Sequence, residues 1–183
     1  MTCGAAFKFD AITDTAIRGM WQAIASAGLP SAMLGLNYPP HLSLMLCEDI
    51  DMDGVRQVLP GFIARQPPIA LDFPALGFFP GEEGVIYLAP TVSRELLDFH
   101  ERLWELLEPF TTRPIPLYRP GAWVPHVTLD LEVNLEQAGA AIAALNRLDH
   151  MPLHGTASTL FVADFAGERG GARELFVSGL GSC

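Results

Sequence analysis

Apolar and polar residues alternate over several short stretches of the chain, and this alternation predicts strands. The two clearest stretches, residues 40–47 and 123–131, each contain a Pro-His pair. Side chains two residues apart on a strand point to the same face, so His41 and Ser43 share one face and the neighbouring leucines share the other. The second stretch repeats this pattern with its own His and Thr. Weaker signals predict further strands at residues 5–9, 69–78, 84–89, 153–165 and 173–178.

Apolar residues recur at three- and four-residue spacing between these strands, which predicts helices. Ser93 and Asn134 are suitable N-caps for the third and fourth helices, and Thr13 or Asp14 for the first. Pro60 lies inside the second helical pattern, so we expect a kink there or two shorter helices. The predicted helices cover about residues 14–27, 53–65, 93–108 and 134–147.

The order of predicted elements repeats along the chain, because each half consists of helix, His strand, helix, strand and strand. His41 and His126 lie 126 − 41 = 85 residues apart. An internal duplication explains this order, and a pseudo-two-fold axis would then bring the two His strands side by side across a shared cleft. We therefore predict an α/β protein of the α+β type with one domain, residues 1–183, whose pseudo-symmetric lobes span about 5–90 and 91–180.

The composition limits the partners of the protein. Half of the 183 residues are hydrophobic, which is enough for a sizeable core. With 11 basic and 21 acidic residues the net charge is −10, so we expect no binding to a long nucleic-acid duplex. No apolar run reaches the ~18 residues of a membrane span, so we expect no membrane partner. The N-terminus lacks the features of a signal peptide, and the three cysteines are odd in number and scattered, so we predict a cytoplasmic monomer.

Two histidines, each followed two residues later by a hydroxyl side chain, suit the cleavage of a phosphodiester. This reaction needs a base at the attacking oxygen and an acid at the leaving oxygen. Because histidine titrates near neutral pH, one histidine can be neutral and act as the base while the other is protonated and acts as the acid. We predict that His41 and His126 are catalytic and that Ser43 and Thr128 donate hydrogen bonds to the phosphate. A single His-x-Ser/Thr segment is usually structural, whereas the matched pair favours function.

Residues 41–44 (His-Leu-Ser-Leu) and 126–129 (His-Val-Thr-Leu) resemble the two His-x-Thr/Ser-x motifs of the 2H phosphoesterases, which include 2′-5′ RNA ligase and 2′,3′-cyclic phosphodiesterase-like proteins. The resemblance implies a duplicated, two-lobed fold, each lobe a mostly antiparallel sheet with helices outside, in which both motifs face a central cleft. It also implies a metal-independent phosphoesterase without a cofactor, acting on 2′,3′-cyclic phosphate ends of RNA or nucleotides, or reversibly on 2′-5′ phosphodiesters. The resemblance covers about residues 5–180, with family-like segments at 76–81, 85–88 and 123–125.

Loops before the two His strands carry side chains that could rim the cleft. Because aromatic rings stack on bases and Arg pairs with phosphate, we predict that Tyr38, Tyr118, Arg119 and Trp123 bind the substrate. Ordinary packing or a solvated loop is the alternative for each of them. Many family members have a basic residue shortly after the second motif, but this chain has none there. Asp130, which occupies that segment, could orient an imidazole or an Arg, but we expect it to be a surface acid at the strand end.

Two other functions remain open on the sequence alone. A non-catalytic module that binds a nucleotide or an RNA end fits the acidic balance and the missing basic residue, and turnover of a cyclic nucleotide would distinguish it from an enzyme. A metal-dependent hydrolase needs a cluster of ligands. His150 and His154 have a suggestive spacing, but Pro152 between them excludes a regular helical face.

Overall fold

The computed structural model describes residues 2–29, 31–36, 38–81, 84–148, 151–165 and 171–181. Within these residues the chain is an α+β fold of two antiparallel sheets with helices packed against them. The helices are α1 (Ala11–Ser26), α2 (Ala32–Gly35), α3 (Met52–Ile63), α4 (Arg94–Leu107) and α5 (Leu135–Leu145), with 3₁₀ turns at Glu108–Phe110 and Pro116–Tyr118. The strands are β1 (Cys3–Phe9), β2 (His41–Ile50), β3 (Ile69–Phe73), β4 (Ala75–Phe79), β5 (Val85–Ala89), β6 (Thr111–Pro114), β7 (Val127–Asp130), β8 (Leu153–Asp164) and β9 (Arg173–Gly179).

The larger sheet contains the first His strand, β2. Its order is β3-β8-β1-β2-β6, and β9 pairs with the second half of β8. Leu42 and Leu44 of β2 are completely buried in the core, as the alternation predicts, while His41 at the start of the strand remains partly exposed. The first motif therefore has one face in the core and one that can reach an opening.

The smaller sheet, β4-β5-β7, contains the second motif strand, β7. Its β4–β5 hairpin comes from the first half of the chain, whereas β7 comes from the second half. Conversely, the β8–β9 hairpin of the second half joins the sheet of β2 through β1. Each half of the chain thus supplies a hairpin to the sheet that contains the other half's motif. The two sheets therefore do not coincide with the two predicted lobes, which meet near residue 90. The two motif strands are spatial neighbours in different sheets.

The helices follow the apolar periodicity closely. Ser93 caps α4 by accepting the Leu96 N–H, and Asn134 caps α5 in a capping box with Gln137. The first helix begins earlier than predicted, because Asp10 rather than Thr13 or Asp14 is its N-cap. The first helix packs one apolar face against the core, and this face consists of Ile17, Met20, Trp21 and Ile24.

Three further details differ from the predicted elements, and each involves a proline. The strand expected at residues 69–78 is divided at Pro74 into β3 and β4, which enter different sheets. The strand expected at residues 123–131 is shortened to β7, because Pro125 lacks the N–H that a ladder needs. Helix α3 continues through Pro60 as one helix, since buried Leu59 and Ile63 hold it against the core on both sides of the proline.

Candidate functional site

Both motifs line one cavity of about 290 Å³, which we call the motif cavity. The first motif reaches it from the start of β2 and the second from β7 and the residue before that strand. Aromatic side chains from the loops before the two strands complete its wall. The structure therefore brings together six predicted site residues, namely Tyr38, His41, Ser43, Tyr118, His126 and Thr128.

The two imidazole rings are anchored in the same way. His41 Nδ1 lies 2.8 Å from the Pro39 carbonyl, and His126 Nδ1 lies 2.8 Å from the Val124 carbonyl. A carbonyl can only accept, so Nδ1 carries the proton in both rings and Nε2 remains to exchange protons. In each case the acceptor lies two residues before the histidine and a proline separates them. The fixed φ of that proline limits how the carbonyl can turn away, which explains the Pro-His pair in both motifs.

The protein interior favours the neutral form of both histidines. Burial lowers the pKa of His41, the bond to the Pro39 carbonyl partly opposes this, and a positive charge on His126 lowers the pKa further. Burial also lowers the pKa of His126, again opposed by its carbonyl bond. The electrostatic effect of His126 on His41 makes it unfavourable for both rings to be protonated together. A state in which one ring is protonated and the other is neutral is therefore favoured over the state in which both rings are protonated.

Two hydroxyl groups accompany the imidazoles. The Thr128 hydroxyl has no hydrogen-bond partner among the described residues and is free to donate into the cavity. The Ser43 hydroxyl lies beside the Tyr118 phenol; burial raises the pKa of Tyr118, and the neighbouring hydroxyl opposes that rise. The cavity therefore offers two neutral donors for a non-bridging phosphate oxygen.

Two tryptophans fasten the motif strands to the opposite half of the chain. The Trp123 indole N–H donates to the Ser43 carbonyl at 3.0 Å, and the Trp21 indole N–H donates to the Thr128 carbonyl at 3.1 Å. Trp123 belongs to the second half of the chain and donates to the first motif, whereas Trp21 of α1 belongs to the first half and donates to the second motif. We call these two bonds the indole pair. They anchor the backbone of the two hydroxyl residues, Ser43 and Thr128.

His100 is a functional neighbour that the sequence analysis missed. It lies on α4, is only 2% exposed, and its Nε2 lies 3.0 Å from both the Leu44 and the Tyr118 carbonyls. Its ring stacks on Trp123, with ring centres 3.9 Å apart. Burial lowers the pKa of His100, which favours the neutral ring with its proton on Nε2. His100 thus connects β2, the Tyr118 turn and Trp123 behind the cavity wall.

Further aromatic rings surround the two catalytic candidates. Phe165, at the end of β8, stacks on His41 with ring centres 5.5 Å apart. Phe79 and Tyr87 meet the His126 ring edge-on, at 5.1 and 5.6 Å. Phe79 and Tyr87 lie in the family-like segments 76–81 and 85–88, whereas no local pattern indicates that Phe165 contacts His41.

A second cavity of about 390 Å³, which we call the apolar cavity, adjoins the first. The two cavities share Tyr118 and His126 as walls. Trp123 lines the apolar cavity, so it remains at the site although its indole N–H is already bonded. Arg119 is exposed and lines neither cavity, although its carbonyl accepts the Trp123 N–H at 3.0 Å.

A family model described as the 2′-5′ RNA ligase superfamily matches residues 13–168. The chain belongs to this superfamily. The resemblance to the 2H phosphoesterases, drawn from the two motifs, is therefore confirmed, and membership supports a phosphoesterase or RNA-end-processing function. A search among curated proteins found no match.

Solved structures of the superfamily share the fold with this chain. Escherichia coli LigT complexed with phosphate is 16% identical with a TM-score of 0.52, and the match covers 97% of this chain and 96% of LigT. Kluyveromyces marxianus Usb1 with uridine monophosphate is 13% identical with a TM-score of 0.51, covering 98% of this chain and 97% of Usb1. The predicted fold class, with antiparallel sheets and helices outside, is confirmed by these neighbours.

Asp130 stands in the segment where many superfamily members have a basic residue, and the expectation that it is a surface acid is wrong. It is 0% exposed. Its Oδ1 accepts the Ala32 N–H of α2 at 2.9 Å and the Leu131 N–H at 3.0 Å, whereas Oδ2 has no partner. Burial raises the pKa of Asp130, and the two N–H groups oppose this. Asp130 therefore holds the start of α2 against β7, and it does not line the motif cavity.

The metal hypothesis concerned His150 and His154. His150 lies outside the described residues, and His154 Nδ1 bonds the Asp72 carboxylate at 2.6 Å on the protein surface. The described part of the chain contains no group of three His, Cys, Asp or Glu side chains arranged to hold a metal ion. None of the helices formed by the described residues is long and apolar enough to cross a membrane.

Proposed function

We propose that this superfamily member is a metal-independent phosphoesterase that opens 2′,3′-cyclic phosphates at nucleotide or RNA ends, or cleaves 2′-5′ phosphodiesters, by acid–base catalysis of His41 and His126. The matched anchoring of the two rings carries the proposal. Each Nδ1 proton is held by a carbonyl, each Nε2 is left for proton exchange, and each ring has a hydroxyl residue two positions further along the same cavity wall.

The chemistry follows from this arrangement. The neutral histidine accepts a proton from water through Nε2 while the water oxygen attacks phosphorus. The protonated histidine gives its Nε2 proton to the leaving ribose oxygen, and the P–O bond to that oxygen breaks. The Nδ1 bonds to the carbonyls persist in both protonation states, so neither ring has to turn as it titrates. Ser43 and Thr128 stabilise the charge on the non-bridging oxygens. With a 5′-hydroxyl in place of water, the same groups would form a new P–O bond to the 5′-oxygen, break the P–O bond to one ribose oxygen, and so join the two ends.

The near-equivalence of the two rings leaves the assignment of acid and base to experiment. The related structures contain phosphate in LigT and uridine monophosphate in Usb1, and these molecules support a substrate that contains a phosphate and a nucleoside. A cytoplasmic, monomeric protein remains our prediction from the composition.

A second candidate function is a non-catalytic module that binds a nucleotide or an RNA end. One observation favours it: among the described residues that line the motif cavity there is no Lys or Arg to hold a phosphate. The module would keep the fold and the hydroxyl donors but would not turn its ligand over.

The test uses 2′,3′-cyclic nucleotides and 2′-5′-linked dinucleotides with EDTA present, and products are separated by chromatography. We expect turnover that His41→Ala and His126→Ala each reduce by at least about 100-fold, the contribution of a general acid or base. His154→Ala is the matched control, because this histidine is exposed and lines neither cavity. Calorimetric binding without turnover would support the module instead, and turnover that needs added zinc or magnesium would overturn the metal-independent mechanism.

A further inference from the structure

The apolar cavity lies where the organic part of a substrate must go if its phosphate occupies the motif cavity. Tyr118 and His126 line both cavities, so a group attached to a phosphate beside His126 lies next to the apolar cavity. Its volume of about 390 Å³ falls within the ~300–1,000 Å³ range of small-molecule sites. The cavity is therefore large enough to bind a compact organic group such as a nucleobase.

The wall of the apolar cavity has little capacity to recognise polar edges. The Trp123 indole N–H is used by the Ser43 carbonyl, and the His126 Nδ1 proton by the Val124 carbonyl. Leu117 and Val124 form part of the rim and are 73% and 49% exposed. A flat group could bury these apolar side chains and contact the Tyr118 ring, but few donors or acceptors are left to distinguish one base from another.

Charge adds a second restriction. Among the described residues that line the two cavities there is no Lys, Arg, Asp or Glu. The phosphodiester would therefore be held by neutral hydroxyls and by the protonated histidine, and no described lining cation remains for a further phosphate. The net charge of −10 also makes approach of a multiply charged ligand unfavourable.

We propose that the apolar cavity binds the uncharged base of a cyclic phosphodiester without selecting among bases, and that the preferred substrate carries no second phosphate. The inference rests on the proposed phosphoesterase function and narrows it to mononucleotide-sized substrates. A longer RNA carries further phosphates, and the described residues that line the two cavities offer no Lys or Arg to bind them, so the cyclic end of a longer RNA is the poorer substrate.

The experiment compares kcat/KM across a matched panel. The panel contains the 2′,3′-cyclic phosphates of adenosine, cytidine, guanosine and uridine, the same four with a 5′-phosphate, and a short RNA that ends in the same cyclic phosphate. We expect the four bases to differ by less than about fivefold, or ~1 kcal/mol. We expect the 5′-phosphate to lower kcat/KM by at least about tenfold, or ~1.4 kcal/mol, and the RNA to be no better than the 5′-phosphorylated nucleotide.

A charge variant tests the location. Leu117→Lys places a cation at the rim of the apolar cavity, and it should raise kcat/KM for the 5′-phosphorylated nucleotides by at least about threefold, as expected for a partly exposed ion pair. Leu135→Lys is the matched control, because Leu135 is 77% exposed on α5 and lines neither cavity. Equal gains in the two variants would show a general charge effect and overturn the assignment of the cavity.

The outcomes separate this inference from the function on which it rests. Turnover with a 5′-phosphate or RNA preferred, or a base preference above about 50-fold, or ~2.3 kcal/mol, would overturn the inference and leave the phosphoesterase standing. If no panel member is turned over, the phosphoesterase fails, and the same panel is compared by calorimetric Kd. Weaker binding of the phosphorylated members would then still support the cavity assignment, while equal or no binding would overturn it.

Discussion

Replacing Thr128 with valine tests the phosphate-binding role of the second motif, because it removes one hydroxyl and keeps the branched shape of the side chain. The Thr128 hydroxyl has no partner among the described residues, so its loss breaks no hydrogen bond within that part of the chain. The substitution therefore removes only a donor from the motif cavity. A hydrogen bond to a charged group contributes about 1.5–3 kcal/mol, which corresponds to a decrease in kcat/KM of roughly 10–150-fold.

The assay measures initial rates of cyclic nucleotide hydrolysis with the substrate well below KM, together with unfolding in urea. Thr128→Val should change the free energy of unfolding by no more than about 0.5 kcal/mol. Thr159→Val is the matched control, because Thr159 is also a half-buried strand residue but lines neither cavity. The control should keep kcat/KM within about twofold of the unmodified protein.

A Thr128→Val protein that folds normally and keeps kcat/KM within about threefold would refute a hydrogen bond of this strength. A loss as large as that of His126→Ala would give the hydroxyl a greater role than charge stabilisation. Ser43→Ala should also cost less than loss of a histidine. Because its hydroxyl lies beside the Tyr118 phenol, the double variant with Tyr118→Phe should be non-additive by more than about 0.5 kcal/mol.

Three further predictions concern titration and support of the site. Burial lowers the pKa of both His41 and His126, so kcat/KM should be bell-shaped with an optimum below about pH 6.5, the ordinary pKa of histidine; a flat profile from pH 4.5 to 9 would contradict the acid–base pair. His100→Ala removes the ring that bonds the Leu44 and Tyr118 carbonyls and should lower the free energy of unfolding in urea by about 1–3 kcal/mol, whereas His154→Ala should not. Burial raises the pKa of Asp130, so its contribution to stability is greatest below the unfolded pKa of about 3.9 and declines as pH rises through the folded pKa. Asp130→Asn should lack this decline, and parallel stability curves for the two proteins from pH 4 to 7 would contradict it.

Local pattern predicted the elements that carry a long amphipathic signal. The helices beginning after Ser93 and Asn134 and the leucine face of β2 follow from periodicity and capping chemistry alone. The matched His motifs also predicted that both rings would face one cavity. Alternation places each histidine on the face opposite the core, and duplication brings the two strands together across a cleft. Strand lengths were less predictable where a proline interrupts a ladder, as at Pro74 and Pro125.

The supporting residues could not be predicted, because their partners are distant in sequence. Alternation indicates that a strand exists but does not identify its neighbour, so the pairing of β5 with β7 was not foreseen. His100 bonds two carbonyls from other elements, and nothing near it in sequence indicates this. Asp130 was misassigned because the segment that buries it, α2, has only four residues and leaves no periodic signal.

The exchange of hairpins and the indole pair have a consequence for protein engineering. A cut between Ala89 and Ser93 would give two fragments, each with one complete motif but with its motif strand deprived of a sheet neighbour and of its tryptophan donor. Neither fragment alone could form the cleft. Hydrolysis on mixing would then report fragment reassociation, and its dependence on fragment concentration would give the affinity of the two halves. The two halves of the chain could therefore serve as a fragment-complementation reporter.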